Sequence, residues 1–214
     1  MSALIVHNAI VNALRGNASM DAEFSIALSG TVTSSGTTVT GNNTQFTTAL
    51  KNKNYIGDIT HGYRQISNIV NDTQLTIDSA FNTNFSNEAI KQTLIEKGLA
   101  KTLNMTEIGR ALRVIFSVSS DLEGHIVSNR IMAGYGFLVA IAFFELDTIK
   151  ADERKIFYDK LIRDAVDNDP TFSQTCEGNT EMVTFNVEES FDTDGLYAGI
   201  MPLLCYRREN RGNR

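Results

Sequence analysis

The chain has 214 residues, of which 42% are hydrophobic and 21% are charged, and its formal net charge is −6. This composition is typical of a globular protein with one sizeable core and a smaller second core, and it argues against a disordered chain. The acidic balance argues against a protein that wraps nucleic acid with a broad basic surface, and the longest apolar stretch is too short to span a membrane.

The N-terminal segment predicts folding in a cytoplasm. It carries no Lys or Arg before Arg15 and no apolar stretch with a small-residue cleavage site, so we expect no secretory signal. Two cysteines occur, Cys176 and Cys205, and a reducing compartment would keep both as thiols, whereas a disulfide between them is the less favoured alternative.

The first elements along the chain are a helix and a strand. Residues 2–15 have apolar residues at helical spacing, and Gly16 and Asn17 supply a stop signal. The predicted apolar face consists of Leu4, Ile10, Val11 and Leu14. Residues 24–28 then alternate between apolar and polar side chains, as a half-buried strand does.

Residues 29–81 form a Thr-, Ser-, Asn- and Gly-rich segment with few charges, which we call the β module. Apolar residues alternate with hydroxyl residues at 31–33, 37–40 and 75–78, and Gly and Asn at 34–36, 41–43 and 71–73 favour turns. Short strands joined by such turns predict a small antiparallel barrel or sandwich. Its predicted core is Val32, Val39, Phe46, Leu50, Tyr55, Ile56, Ile59, Ile66, Ile69, Leu75, Ile77 and Phe81.

The segment after the β module is mixed in character. Residues 82–87 read as a polar linker whose Ser86 or Asn87 caps a helix at 88–97. The spacing at 106–116 favours a helix that runs into an extended segment, although 114–118 also fits a strand. We interpret 119–135 as a long loop or a mobile hairpin. The continuous apolar run at 137–144 predicts a strand buried on both faces.

The final third predicts one helix followed by two strands. A helix at 152–169 buries Phe157, Leu161, Ile162 and Ala165, and Pro170 follows its end. Residues 182–187 and 195–206 read as strands. The predicted fold is α+β, with a helix packed on a mixed or antiparallel sheet. Residues 1–28 and 82–214 would form the core domain, and residues 29–81 would be a small all-β insertion.

No motif for metal or zinc binding emerges. The acidic group Glu188, Glu189, Asp192 and Asp194 lacks the bidentate Glu that closes an EF-hand, so we interpret it as a solvated turn. The three histidines, His7, His61 and His125, lack the spacing of a zinc site and fall in separate predicted elements. We therefore expect neither a metal nor a cofactor.

The sequence also predicts no catalytic residues. The turn at Gly134, Tyr135 and Gly136 precedes a strand and not a helix, which disfavours a P-loop or a dinucleotide fingerprint. No G-x-S-x-G elbow occurs. An enzyme or a small-ligand binder stays open only as an alternative, which would require convergent polar groups in a closed pocket.

The C-terminus is cationic although the chain is acidic. Arg207, Arg208, Arg211 and Arg214 fall within the last eight residues. This asymmetry predicts a contact with another subunit, an acidic neighbour or nucleic acid. The alternative interpretation is a frayed and solvated end, as is common at chain termini.

Several short motifs of the β module resemble a β domain that recurs in virion proteins of tailed bacteriophages. They are Gly30-Thr31-Val32, Val39-Thr40-Gly41, Thr44-x-Phe46, Gly57-Asp58, Arg64-x-Ile66 and Asp72-Thr73-x-Leu75-Thr76-Ile77. The resemblance covers only the β module. It implies a component of a phage particle and does not specify which one.

The flanking parts resemble the tail-terminator and tail-completion family, which are small α+β head–tail connector proteins of the phage neck. The shared pattern is an N-terminal helix, then strands, then a strand leading into the helix at 152–169, and a last strand pair ending at Tyr206, Arg207 and Arg208. The inserted β module and the long 86–135 segment depart from that pattern.

The two resemblances imply a structural virion protein that is assembled in the host cytoplasm and is not an enzyme. It would form a homo-hexameric ring, with a dodecamer as the alternative, between the portal complex and the tail tube, and double-stranded DNA would pass through its lumen without sequence recognition. The expected partners are neighbouring neck, portal or tail-tube proteins and no membrane. A baseplate or tail-fibre attachment protein is the alternative.

Overall fold

The computed structural model describes residues 2–98, 109–127, 130–176, 181–182, 186–189 and 195–210. Only the backbone is described for residue 2 and for 118–127, 130–132, 181–182, 186–189 and 208–210. The protein has the α+β fold that the sequence predicts. It divides into two compact units: the first comprises Met1–Leu14 and Ile95–Arg214, and the second is Arg15–Leu94.

Helices and strands are numbered in chain order. The helices are α1 Ser2–Gly16, α2 Ala18–Glu23, α3 Phe46–Ala49 and α4 Thr148–Asn168. The strands are β1 Ser25–Ala27, β2 Thr31–Ser35, β3 Thr38–Asn42, β4 Tyr55–Asp58, β5 Gly62–Asn71, β6 Gln74–Ile77, β7 Lys91–Thr93, β8 Ile95–Lys97, β9 Arg110–Val127, β10 Arg130–Phe144, β11 Glu181–Met182, β12 Asn186–Glu189 and β13 Leu196–Asn210. Among the described residues, no helix combines the length and hydropathy that crossing a bilayer requires.

The second unit is built on one antiparallel sheet in the order β1-β7-β4-β5-β6-β3-β2. The sheet does not close into a barrel within the described chain, because β1 and β2 form its two ends and do not pair. Of the two predicted alternatives, a barrel or a sandwich, the closed barrel is therefore wrong. The unit is also wider than the predicted 29–81. Strand β7 pairs with both β1 and β4, so the segments on either side of the β module belong to the same sheet.

The core of the second unit contains most of the residues predicted from sequence. Nine of the twelve are buried, and Phe85 and Ile90 join the same cluster. Tyr55 and Ile69 are only partly buried. Ile59 is 48% exposed because it lies in the turn between β4 and β5 and not in a strand. The predicted helix at 88–97 is wrong, because β7 and β8 bond to neighbouring strands.

The first unit is built on a mixed sheet in the order β11-β13-β10-β9-β8, with β12 also paired to β13. Strand β10 pairs antiparallel with β13 from Arg130 opposite Asn210 to Phe144 opposite Leu196. It also pairs antiparallel with β9, whereas β8 and β9 are parallel.

Strands β9 and β10 correct one prediction for the middle of the chain and confirm two others. Residues 110–116 are strand and not helix, because β9 is paired on both sides, while 106–108 lie outside the described residues. Of the two alternatives for 119–135, the hairpin is confirmed, since the described part of this range forms the arms of β9 and β10. The predicted strand at 137–144 is confirmed within β10.

Helices α1 and α4 pack on the same face of this sheet. His7 of α1 contacts Phe137 with ring centroids 5.5 Å apart, and Tyr158 of α4 contacts Phe143 at 5.2 Å. Phe137 and Phe143 lie on one face of β10 because their positions differ by an even number. The helix that the sequence predicts at 2–15 is therefore confirmed and docks through Val6, Ile10, Val11 and Leu14.

Both helices differ from prediction in one apolar position. Leu4 of α1 is 59% exposed, and Val6 is buried in its place. In α4, Phe157 is 47% exposed whereas the next residue, Tyr158, is buried. Asp147 caps the start of α4 by accepting from the backbone N–H groups of Ile149 and Lys150, and the helix ends before Pro170, as predicted.

One glycine of the β module has a demonstrable steric role. Gly57 has φ +147°, and a Cβ atom there would lie 2.2 Å from the carbonyl oxygen of Gly62 across the β4–β5 pair. Only glycine adopts this conformation without strain and also leaves room for the neighbouring strand.

We expect Gly57→Ala to lower the free energy of unfolding by about 2 kcal/mol, because a non-glycine residue in such a conformation is strained and its Cβ collides with backbone. Urea denaturation followed by far-UV circular dichroism measures this. Gly16→Ala is the control, because a Cβ there meets nothing within 4 Å. A Gly57→Ala protein as stable as the control would contradict the steric explanation.

Candidate functional site

The face of the six-stranded sheet opposite α1 and α4 is apolar, and we call it the open face. Along β10 the odd-numbered residues Phe137, Val139, Ile141 and Phe143 are buried, whereas the even-numbered residues between them are half-buried. The same alternation continues along β13, where Ile200 is 46% exposed. The strand predicted to be buried on both faces is thus fully buried on one face only.

The register of the strands identifies the members of the open face. Leu138 lies opposite Pro202 and Ile115, and Ala140 lies opposite Ile200, so these side chains share one side of the sheet. Its half-buried or exposed apolar residues are Ile115, Leu138, Ala140, Ala142, Ala198, Ile200, Pro202 and Leu204. With about 4.8 Å between strands and about 6.8 Å between rows on one face, these eight positions cover about 260 Å². Monomeric proteins also expose apolar patches of a few hundred Å², and the largest patch of a protein is often functional.

The side of α4 that faces away from the sheet carries two exposed isoleucines among charged residues, and we call it the outer face of α4. Ile149 and Ile156 are each 72% exposed and are seven residues apart, so they lie on the same side of the helix. Leu146, just before the helix, is also 72% exposed, and Phe157 is 47% exposed. The opposite side of α4 is buried, through Ala151, Tyr158, Leu161, Ile162, Ala165 and Val166.

The predicted contact residues at the C-terminus are only partly described. Arg207 lies in β13 opposite Ala133, on the side that carries Met201, Leu203 and Cys205. Its side chain is half-buried, and its Nη1 atom is buried without a hydrogen-bond partner among the described residues. Arg208 is described by backbone alone, and Arg211 and Arg214 lie outside the described residues. Because β13 stays paired through Asn210, residues 207–210 are strand and not a frayed end.

A polar cluster in the second unit surrounds His61. Asp58 accepts hydrogen bonds from the backbone N–H groups of Thr60 and His61, both at 2.7 Å, and its Oδ2 lies 2.8 Å from His61 Nδ1. Glu88 Oε2 lies 4.0 Å from His61 Nε2. Burial alone would raise the pKa of Asp58, but the hydrogen bonds from His61 and Thr60 outweigh burial and hold the pKa below its usual range.

Asp58, His61 and Glu88 offer ligand atoms within 4.8 Å of one another, which is the geometry that a metal site requires. Asp58 and His61 already bind each other, and Asp58 Oδ1 is occupied by two backbone donors. The contacts of Asp58 with Thr60 and His61 fix the turn between β4 and β5.

A second polar cluster links α2 to the sheet of the same unit. Asp21 is 6% exposed, and its carboxylate accepts hydrogen bonds from the Tyr63 hydroxyl and the Lys91 ammonium. Burial is the main cause that raises the pKa of Tyr63 far above its usual value, and the carboxylate of Asp21 adds to it. Arg15, which precedes Asp21 by six residues, places its guanidinium 3.8 Å from the centroid of the Tyr55 ring.

Neither polar cluster was identified from the sequence. Asp21, Tyr63 and Lys91 come from three separate elements, and His61 and Glu88 are likewise distant along the chain. The only signal is the pattern of charged or hydroxyl-bearing residues at otherwise apolar positions, and that pattern does not identify partners. Both clusters hold elements together, whereas the apolar open face and outer face of α4 hold nothing within the described chain.

No protein-family model and no curated protein sequence matches this chain.

We expect Asp21→Ala to lower the free energy of unfolding by about 3 kcal/mol, because it leaves a buried hydroxyl and an ammonium group without their acceptor. Tyr63→Phe is the milder control, since it removes one hydrogen bond at a cost of about 1 kcal/mol. Urea denaturation measures both, and hydrogen exchange of β5 and β7 locates the loss. An Asp21→Ala protein within about 0.5 kcal/mol of the wild type would show that the cluster is not structural.

The half-buried side chain of His7 makes the stability of the first unit depend on pH. Its Nε2 donates to the carbonyl oxygen of Val114 at 2.7 Å. Burial lowers the pKa of His7 and outweighs this hydrogen bond, which raises it, and nearby Lys97 lowers it further. Because the folded-state pKa lies below the unfolded-state value near 6.5, the unfolded chain binds more protons as the pH falls through this range. His7 therefore reduces stability on acidification.

We expect His7→Gln, whose amide keeps a donor for Val114, to lose less stability than the wild type between about pH 7.5 and about pH 5. Urea denaturation across this range gives both profiles, and their difference isolates His7 from the other titrating groups. Parallel profiles would contradict the assigned role of His7.

Proposed function

We propose that this protein is a structural component of a tailed bacteriophage that forms a homo-oligomeric ring at the neck, joins the head and portal complex to the tail, and lets DNA pass. The observation that carries the proposal is the open face, an apolar sheet surface that no described element of the first unit covers. The outer face of α4 adds exposed apolar side chains, Ile149 and Ile156, on the same unit. Together they favour an assembling protein over one that works as a monomer.

Exposing the open face to water costs free energy in a monomer. An antiparallel sheet can expose one face to water when that face is polar, but here strands β10 and β13 carry apolar residues on both faces. Each buried apolar Å² contributes roughly 25 cal/mol, so covering about 260 Å² would stabilise an assembly by roughly 6.5 kcal/mol before association costs. A second layer supplied by another protein copy would provide this cover.

Two unlike surfaces on one unit favour a ring over a two-fold dimer. A two-fold contact uses one patch twice, whereas a head-to-tail contact joins two different patches and closes into a ring when the rotation allows. The open face and the outer face of α4 are two such patches, and a hexamer is the favoured size, with a dodecamer as the alternative.

The assignment to a phage particle is supported by the resemblance of the β module, and the structure explains why its motif residues are needed. Thr44 Oγ1 donates to the carbonyl oxygen of Asp72 at 2.6 Å, and Phe46 N donates to the same oxygen at 3.3 Å. Gly41 N donates to Thr73 O at 2.8 Å. These motifs therefore hold one another in place, and they specify a domain and not a reaction.

The charge of the chain is compatible with DNA passage. A net charge of −6 disfavours tight binding to phosphates, so a lumen lined by such a protein would let a duplex slide. The arginine-rich C-terminus would then face a neighbouring protein and not the DNA.

The mass of the purified assembly tests this proposal. We expect native mass spectrometry and analytical ultracentrifugation to show a six-subunit or twelve-subunit species, which negative-stain electron microscopy resolves as a ring with a central opening. A trimer would instead favour the baseplate or tail-fibre alternative. A stable monomer at high concentration would contradict both.

A further inference from the structure

The His61 ring directs one of its nitrogen atoms at a carboxylate without a hydrogen bond between them. His61 Nδ1 lies 2.8 Å from Asp58 Oδ2, and an ionised carboxylate only accepts hydrogen bonds, so Nδ1 carries a proton and donates it. In the neutral ring, Nε2 then holds a lone pair. Within the described chain Nε2 has no hydrogen-bond partner, because Glu88 Oε2 lies 4.0 Å away. A gap of cation size thus separates two electron-rich atoms.

The surroundings of His61 hold its ring in this orientation. His61 is 9% exposed, and its ring packs against Phe85 with centroids 4.5 Å apart. Phe85 itself belongs to the apolar cluster of the second unit. The backbone N–H of Asn82 donates to the carbonyl oxygen of His61 at 3.3 Å. Because the ring is packed on its face and bound at Nδ1, Nε2 keeps its direction.

Glu88 reaches the same gap from a fixed backbone position. Its N–H donates to the carbonyl oxygen of Val32 at 3.0 Å, and the N–H of Val32 donates back to the carbonyl oxygen of Glu88 at 2.7 Å. The side chain of Glu88 is 48% exposed, so its carboxylate can shift by a fraction of an ångström at little cost. The same exposure leaves room for water molecules on this side of the gap.

We propose that His61 Nε2 and a carboxylate oxygen of Glu88 bind a zinc ion, that water completes its coordination, and that Asp58 is the positioning residue that orients His61. Zinc–ligand distances of about 2.1 Å in a tetrahedral site place two ligand atoms about 3.4 Å apart. Glu88 Oε2 therefore needs to approach His61 Nε2 by about 0.6 Å from its present distance of 4.0 Å.

The donor set indicates zinc and not magnesium or calcium. An imidazole nitrogen with a carboxylate oxygen suits zinc, whereas magnesium and calcium take oxygen ligands. A histidine that binds zinc commonly donates its other ring N–H to a carboxylate, which fixes the tautomer and raises the basicity of the ligand nitrogen. Asp58 occupies that position at His61, and the three side chains have ligand atoms within 4.8 Å of one another.

The competing interpretation is a doubly protonated His61 that bridges two carboxylates. Such a ring would donate from Nε2 to Glu88 and would bring the two atoms to about 2.8 Å, as in charge-assisted hydrogen bonds. The distance of 4.0 Å and the exposed Glu88 side chain do not match that bond. A bound ion accounts for the separation, because it lies between the two ligand atoms.

The zinc site lies wholly in the second unit and does not depend on the proposed ring. His61 belongs to the turn between β4 and β5, and Glu88 precedes β7. A bound ion would therefore tie this turn to the segment that leads into β7. Because the site exists only in the folded chain, zinc is expected to stabilise the second unit by mass action.

Titration of the full chain with zinc chloride tests the proposal. We expect calorimetry to show one ion bound per chain, and the unfolding temperature to rise with zinc. His61→Gln and Glu88→Gln should each weaken binding at least about tenfold, because each removes a ligand. His7→Gln and Glu153→Gln change the same residue types in the first unit and are the matched controls, which should bind zinc as the wild type does. Excess magnesium chloride should not compete.

Asp58→Asn separates the positioning role from folding. The asparagine oxygen still accepts from the backbone N–H groups of Thr60 and His61, so the turn is retained. Its NH₂ group, however, donates to Nδ1, which moves the ring proton to Nε2 and blocks the ligand atom. We expect an unchanged circular dichroism spectrum and a loss of about tenfold to hundredfold in zinc affinity. Proton–nitrogen NMR spectra of the His61 ring identify the protonated nitrogen in each protein.

The wild-type NMR spectra keep the proposal falsifiable if a variant fails to fold. Zinc should shift the Nε2 resonance of His61, whose Nδ1 stays protonated. A wild type that binds no zinc, or whose His61 resonances ignore it, would overturn the proposal. The same holds for a ring protonated on both nitrogen atoms in the presence of zinc, and for Glu88→Gln binding zinc as tightly as Glu153→Gln. None of these outcomes bears on the ring proposal, which depends on the mass of the assembly.

Discussion

Strand β10 is the constraint on which the first unit depends. It lies at the centre of the mixed sheet, pairs along its length with β13 and β9, and carries apolar side chains on both faces. One face is covered by α1 and α4 through Phe137 and Phe143. A strand with two apolar faces needs two covering layers, and the described residues of the unit supply one of them.

The two units use different means of stabilisation. The second unit combines an apolar cluster with two polar clusters, around Asp21 and around His61, and its glycine at 57 accommodates the close approach of β5. Each of these contacts is satisfied within the unit. Large apolar side chains are exposed in both units, but the three most exposed, Leu146, Ile149 and Ile156, lie on or next to α4 in the first unit. This difference favours the first unit as the site of assembly and the second as an accessory domain.

The sequence predicted elements well where local signals and tertiary packing agree. The N-terminal helix, the helix around 152–168, the alternating strands of the β module and the apolar strand at 137–144 all have strong periodicity or clear turn residues. Most of the core of the β module followed from the same alternation.

Other elements could not be predicted because pairing partners decide them. Residues 91–93 and 95–97 carry a helix-like composition, but β7 and β8 take up their backbone hydrogen bonds in two sheets. Helical spacing at 110–116 was likewise overridden by pairing of β9 with β10 and β8. Phe157 and Tyr158 are adjacent aromatic residues, and composition alone does not tell which of them faces the sheet.

The candidate site was only partly visible in the sequence. The arginines at the C-terminus were identified by charge, but the open face was not, because a continuous apolar run predicts burial on both sides of a strand and does not say whether the second cover comes from the same chain. The outer face of α4 was missed for a related reason. Ile149 and Ile156 look like ordinary helix residues until the structure shows which side of α4 is buried.

The position of the protein in an assembled particle tests the central claim most directly. Gold-labelled antibodies against the purified protein can be applied to tailed phage particles assembled with it and viewed by electron microscopy. We expect label at the junction of head and tail, at one place per particle. Label at the distal end of the tail, or on the fibres, would contradict a role at the neck.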